Sequence, residues 1–316
     1  MNLHLDKKLF KDFIDNLNVK TGISTDIIEK DYYVCAVLQK LSQKQSELQA
    51  YFKGGTAIYK ILGTMNRFSE DIDLTVKIIK NQSNTKNYNR LKNSALSYKI
   101  EGLILSKKDC IDKKGSITGI YKYNSIYEPT ANPLHREGII QVEATSFTVS
   151  EPYQKYLIEL LIYKLSNQYE KSILEKQFNI SSFFINIIKI ERMFIDKIFA
   201  AEFYYIRNML HDTSKHLYDI CVLLQNETIK KLLSNKKELI KLINYKRQEE
   251  LLRFGGITAN TKIKNFNYFK LDFNNNFIQE FYNMQNKYLL NKKYKITISE
   301  LKENLSKLLN VFMFLS

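Results

Sequence analysis

Asp71 and Asp73 stand one residue apart in RFSEDIDLTVKI, where Ile72, Leu74 and Val76 alternate with Asp71, Asp73 and Thr75. Such alternation predicts a half-buried strand, and its period of two puts both carboxylates on one face. Two carboxylates that close repel unless a cation lies between them, and oxygen ligands on a rigid strand suit Mg²⁺ held jointly with substrate phosphates. Upstream, Gly54, Gly55 and Thr56 lead into a stretch of helical periodicity. A glycine pair lets backbone N–H groups approach a phosphate, and the N-terminus of the following helix aims its dipole at that anion. A third carboxylate on a neighbouring strand would complete a two-metal site, and the best candidate is Glu143 in IIQVEATSF, with Ile140 and Val142 beside it in a strand pattern. Taken singly, a glycine pair is a turn and a D-x-D is a solvated strand face; together and in this order they outline a site for a nucleotide and its metal.

The elements that must position these groups follow from periodicity. From Asp6 to about Leu41 the apolar residues recur at helical spacing as two helices, with Thr25 or Asp26 placed to cap IIEKDYYVCAVLQKL. LQAYFKGGTAIYKILG predicts a strand or helix end, a tight turn, then a helix through Ala57, Ile58, Ile61 and Leu62. Residues 80–95 begin a helix, and LSYKIEGLIL, GSITGIYKYNSIYE and REGIIQVEATSFTV have the β-branched and aromatic content of further strands. Beyond Pro152 the texture is helical to Ser316, a short strand piece near 262–272 being the one exception. The expectation is an α+β protein: a mixed sheet with flanking helices over residues 1–150, and a mainly helical domain over 151–316 that completes the active-site cleft.

The chain of 316 residues is 44% hydrophobic and 26% charged, enough apolar material for a packed core and against a disordered or collagen-like polymer. Its net charge of +15, spread over both expected domains, favours an anionic partner such as nucleic acid or nucleotide. The same chain is rich in Asn and Ile, so part of the lysine excess reflects composition rather than function. Cys35, Cys110 and Cys221 are odd in number and in no C-x-x-C pairing, which supports neither a disulfide framework nor a zinc cage and fits a reducing cytoplasm. No apolar run is long enough to span a bilayer, and MNLHLDKKLFKDF carries charge where a signal peptide would be apolar.

The glycine turn, helix and D-x-D, with a later strand supplying a carboxylate, resemble the signature of the nucleotidyltransferase superfamily related to DNA polymerase β. FKGGTAIYKILGTMNRFSEDIDLTV is similar to the AbiEii/AbiGii toxin family, whose hallmarks are a Gly-Gly-Thr turn and an R-x-S-E-D-I-D-L-type run. IIEKDYYVCAVLQKL resembles that family's E-K-D-Y helix, IERMFIDKIFA its E-R-T-F-x-E-K-type helix, and KHLYDICVLL its R-H-x-x-D-L segment. The blocks run from about 28 to 224 in the family's order, and nothing specific matches after 230. Two departures are Lys215 where many relatives have Arg before His216, which loses a bidentate fork, and Gly-Gly in place of Gly-Ser, which removes a hydroxyl.

The resemblance implies that Asp71 and Asp73 hold Mg²⁺ or Mn²⁺ with Glu143 as third carboxylate. It further implies that Gly54, Gly55 and Thr56 contact the triphosphate, and that Lys197 reaches the phosphates while Asp219 lines the same cleft. The implied activity is transfer of a nucleoside monophosphate from a nucleoside triphosphate to an acceptor, with RNA and the 3′ end of tRNA foremost, by the toxin of a toxin–antitoxin or abortive-infection system with a separately encoded antitoxin. Three other readings stand beside it: a nucleotide- or RNA-binding module without turnover, nucleotidylation of a protein, and a Mg²⁺-dependent phosphohydrolase. Without the resemblance Lys197 and Asp219 read equally as a structural ion pair, and with it function is favoured; Arg67, Ser69 and Glu70 read as plain loop residues and His216 as a packing histidine. Phe203, Tyr204 and Tyr205 at helical spacing are core rather than base-stacking residues, and the basic run 230–247 is a solvated helix face that could track an RNA backbone.

Overall fold

The computed structural model describes residues 1–62, 67–128, 138–254 and 258–315. Residues 63–66 of the glycine-to-D-x-D block, and 136–137 at the head of the third strand expectation, lie outside them. The chain divides into two units, Met1–Ile188 and Lys189–Ser316.

The first unit opens with α1 (Lys7–Thr21) and α2 (Thr25–Leu48), then β1 (Ala50–Lys53), α3 (Gly54–Leu62) and β2 (Ile72–Val76). Ser24, not Thr25 or Asp26, occupies the N-cap of α2; the Asp26 carboxylate accepts from the Ser24 hydroxyl and from the Ile27 N–H. α4 (Asn84–Leu96) is followed by β3 (Ile104–Leu105), β4 (Ile111–Lys113), β5 (Ser116–Lys122) and β6 (Ile139–Thr145). β7 (Tyr153–Ile158), α5 (Leu161–Leu165), α6 (Gln168–Phe178) and β8 (Phe183–Ile188) end the unit. The strands form one mixed sheet in the order β3-β5-β6-β2-β1-β8-β7, with β4 also pairing β5.

β2 lies between β1, which it meets antiparallel, and β6, which it meets parallel. Ile72 and Leu74 of β2, Val142 and Ala144 of β6 and Phe52 of β1 are buried. α4 packs against this apolar face: a Cβ at Gly119 of β5 would lie 2.3 Å from the Ala95 carbonyl, and Gly119 pairs with Val142, which pairs with Ile72. Neighbours in register point the same way, so the faces carrying Asp73 and Glu143 look away from α4.

Two expectations need correction. The stretch after Pro152 is not purely helical, since β7 and β8 pair with each other and β8 joins β1 in parallel, so sheet structure runs to Ile188 rather than stopping near 150. The short strand near 262–272 is instead a pair of 3-10 turns, Ile263–Asn265 and Asn267–Lys270.

The second unit is helical among its described residues: α7 (Ile190–Tyr205), α8 (Leu210–Leu224), α9 (Glu227–Ser234), α10 (Lys236–Phe254), α11 (Asn275–Tyr288) and α12 (Ile298–Met313). Phe194, Phe199, Tyr218, Phe266, Phe281 and Leu308 are buried in it. Among the described residues no helix is long and apolar enough to cross a membrane.

Candidate active site

Asp73 on β2 is in register with Glu143 on β6 and with Lys53 on β1, and Glu143 is in register with Thr118 on β5. Partners in register project to the same side, so a polar row Lys53–Asp73–Glu143–Thr118 crosses four strands, and Asp71 stands immediately before β2, two residues ahead of Asp73. The D-x-D carboxylates and Glu143 are half-buried. Ser116 donates to Glu143 Oε1 at 3.3 Å. Below them on the same face Thr148 donates from its hydroxyl to Thr75 Oγ1 at 2.6 Å, while the Thr145 hydroxyl donates to the Leu74 carbonyl at 3.2 Å. The strand period puts the two aspartates together; the neighbouring strand β6 adds Glu143 and β1 adds, unforeseen, Lys53, whose only mark in the sequence is its place just before the glycine pair.

α3 begins at Gly54, where φ is +84°, a conformation natural to glycine. A Cβ there would lie 2.0 Å from Asp73 Oδ2, so the first turn of α3 and the second aspartate touch only because residue 54 has no side chain. A Cβ at Gly55 would lie 2.8 Å from Ser69 Oγ and 3.4 Å from Arg67 Nη2. The glycine pair therefore seats the start of α3 against both ends of the R-F-S-E-D-I-D segment, with the unpaired N–H groups of a helix start at the place where an anion is expected. Thr56 is buried, and its hydroxyl has no hydrogen-bond partner among the described residues. An isolated buried hydroxyl costs about 1–3 kcal/mol unless a ligand oxygen meets it.

Arg67 and Glu70 are not plain loop residues: both are buried. Glu70 Oε2 lies 2.7 Å from Lys30 Nζ of α2. The adjacent Asp31 accepts from the Tyr59 hydroxyl and the Lys60 ammonium of α3 and, at 2.8 Å, from the Leu161 N–H. Burial and then the Asp31 charge hold the Tyr59 hydroxyl well above its ordinary pKa; burial pulls Lys60 down, but Asp31, Cys35 and Tyr59 together more than offset it and hold Lys60 well above its own. Cys35, also beside Asp31, is pushed up to about 12, chiefly by burial, which removes it as a thiolate nucleophile near neutral pH. The sequence marked this E-K-D-Y helix by resemblance alone and gave no role to its charges.

In the second unit Lys197 on α7 and Asp219 on α8 form a buried ion pair, Nζ to Oδ2 2.8 Å. Four residues before Asp196, Arg192 is buried against Glu249 and Asp196, and Lys246 closes the group with Glu250 at 2.8 Å. Lys246 thus leaves the solvated face expected of the basic run 230–247, because Asp196 of α7 and Glu249 and Glu250 of its own helix supply carboxylates for it. His216 stacks on Tyr204 with centroids 5.1 Å apart, and Phe203 lies under the Arg207 guanidinium at 3.6 Å. Phe203, Tyr204 and Tyr205 are half-buried rather than core.

The donor set of Asp71, Asp73 and Glu143 is all carboxylate oxygen, suited to a hard divalent cation. Among the described residues no three His, Cys, Asp or Glu stand gathered as a metal cage.

A mixed sheet with carboxylates in register on adjacent central strands, a glycine turn opening the helix beside them and a helical second unit describe a nucleotidyltransferase fold. The chain belongs to the AbiEii nucleotidyltransferase toxin family of type IV toxin–antitoxin systems, which it matches over residues 36–302. Among solved structures it is similar to MenT4, a nucleotidyltransferase toxin from Mycobacterium tuberculosis H37Rv, with a TM-score of 0.56 at 13% identity, covering 92% of this chain and 85% of that one. That likeness is one of fold. No curated protein sequence matches the chain.

Proposed function

We infer that the chain is a divalent-metal-dependent nucleotidyltransferase that moves a nucleoside monophosphate from a nucleoside triphosphate to the terminal ribose hydroxyl of an RNA, the 3′ end of tRNA first among acceptors. The observation that carries this reading is the register of Asp73 with Glu143, with the start of α3 held against Asp73 by Gly54. Metal ligation and phosphate binding would then meet within one bond of reach, as nucleotidyl transfer requires.

Asp71, Asp73 and Glu143 would hold Mg²⁺ or Mn²⁺, which when bound supplies the charge that activates the acceptor hydroxyl and steadies the departing pyrophosphate. The first-turn N–H groups of Gly54, Gly55 and Thr56 bind and orient the triphosphate oxygens. Lys197 would offset negative charge on the phosphates, its ammonium oriented by its ion-pair partner Asp219. A net charge of +15 favours an extended polyanion over a small-molecule acceptor. Family membership adds a separately encoded antitoxin and action in the cytoplasm.

Incubating the protein with each labelled triphosphate, Mg²⁺ and total cellular RNA tests the reading. Label is expected in an RNA band with release of pyrophosphate. Label only in protein would replace the acceptor, and nucleotide bound without transfer would replace catalysis by sensing.

A further inference from the structure

Three consecutive residues of α2, Glu29, Lys30 and Asp31, are charged, and each is about 1% exposed. A buried charge is tolerated only when it is paired and hydrogen-bonded, and here each one is satisfied by a different stretch of the first unit. Glu29 accepts from the Ser125 hydroxyl at 2.6 Å and the Ile126 N–H at 3.0 Å. Lys30 holds Glu70, the residue directly before Asp71. Asp31 holds Tyr59 and Lys60, on the helix that Gly54 and Gly55 open, and the Leu161 N–H. Neighbouring helix positions point about 100° apart, which is why adjacent side chains can grip elements on two sides of one rod.

We propose that Lys30 and Asp31 are positioning residues that set the spacing between the two halves of the site: Asp31 fixes the helix that receives the triphosphate, and Lys30 fixes Glu70 and through it the first metal-binding aspartate. The assignment rests on the reading of Asp71 and Asp73 as metal ligands given above. Neither residue touches substrate. Their common backbone is the interior of a 24-residue helix, so the two anchors cannot drift relative to each other. Loss of the Lys30–Glu70 bond frees the approach to Asp71 while leaving α3 held, and loss of the Asp31 bonds does the reverse.

The test compares full-length Lys30→Met, Lys30→Arg and Asp31→Asn with the parent chain, reading Mn²⁺ affinity by calorimetry and amide exchange by mass spectrometry. Lys30→Met is expected to weaken Mn²⁺ binding about 10–100-fold, the usual cost of losing a group that orients metal ligands, and to speed exchange at 67–71 but not at 54–60. Lys30→Arg restores both, and Asp31→Asn speeds exchange at 54–60 instead. If Lys30→Met does not fold, the exchanged pair Lys30→Glu with Glu70→Lys takes its place, with both readouts expected near those of the parent. A Lys30→Met protein that melts earlier yet keeps parental Mn²⁺ affinity and exchange at 67–71 would overturn the proposal, reducing the pair to a stabilising contact. If the parent itself binds no Mn²⁺ in a way that Asp71→Asn abolishes, the metal reading fails, while exchange at 67–71 still decides the positioning role.

Discussion

Asp71→Asn and Asp73→Asn keep side-chain shape but remove charge where a cation would be shared, so each is expected to abolish transfer in Mg²⁺ while the chain stays folded. Glu143→Gln should reduce turnover far more than Glu151→Gln, since Glu151 is exposed and paired with Lys77 at 3.0 Å while Glu143 lies in register with Asp73. Labelled transfer measured on all four variants checks this, and a Glu143→Gln protein as active as Glu151→Gln would remove Glu143 from the site. Lys197 calls for a different design because it is buried against Asp219. Lys197→Met takes from the buried Asp219 carboxylate its ammonium partner and should cost about 3–5 kcal/mol. Lys197→Met with Asp219→Leu should regain that stability in urea unfolding without regaining turnover; recovery of both would make the pair structural only. The two aspartates, the glycine pair and Glu143 were legible in the sequence because strand alternation and turn chemistry act over a few residues. Lys53 and the Lys30–Glu70 pair were not, because a lysine in a helix or at a strand end looks the same whether it meets water or a carboxylate far along the chain.

At the scale of the element, two glycines separate function from folding. Gly54 combines a φ of +84° with contact to Asp73, so Gly54→Ala is expected to cost about 1–3 kcal/mol of backbone strain and to displace the aspartate, with transfer lost beyond what the lowered stability explains. Gly119→Ala meets the Ala95 carbonyl instead and should destabilise by a similar about 1–3 kcal/mol of overpacking, with turnover per folded molecule preserved because that face is opposite the carboxylates. Melting curves and active-fraction-corrected rates distinguish the two, and equal specific activities would deny Gly54 its place at the site. The same scale holds the misread elements. FFINII is apolar but for Asn186 and β8 is followed after Lys189 by α7, and such a short apolar run fits a helix as well as a strand. What makes 183–188 a strand is its pairing with β7 along its whole length and with β1, more than a hundred residues upstream, neither of which local pattern shows. β7 is an edge strand with exposed Tyr153 and Leu157, so it lacks the apolar alternation of a half-buried one.

For the whole molecule, acid should loosen the fold in part through its first residues. His4 Nε2 donates to the Glu101 carbonyl at 2.6 Å, so in the neutral ring Nδ1 accepts from the Tyr32 hydroxyl at 2.8 Å. Burial lowers its pKa below 6.5, and the unfolded chain therefore takes up a proton that the fold refuses. Its contribution to stability is complete above about 6.5 and is lost as pH falls through the lowered value. His4→Asn should flatten the fall in melting temperature between pH 7 and 5, with a residual slope from His211, which burial also lowers; an unchanged slope would place the acid sensitivity elsewhere. The pairing of β1 with β8 has a consequence in time as well as in space. Phe52, one residue before the row that carries Asp73 and Glu143, is flanked by Ile187, and Asp31 is satisfied in part by Leu161. A ribosome making this toxin-family chain must therefore release more than half of it before the central sheet can close. Until then the carboxylates of β2 and β6 sit on an unfinished scaffold, and the candidate site is completed only in the second half of synthesis.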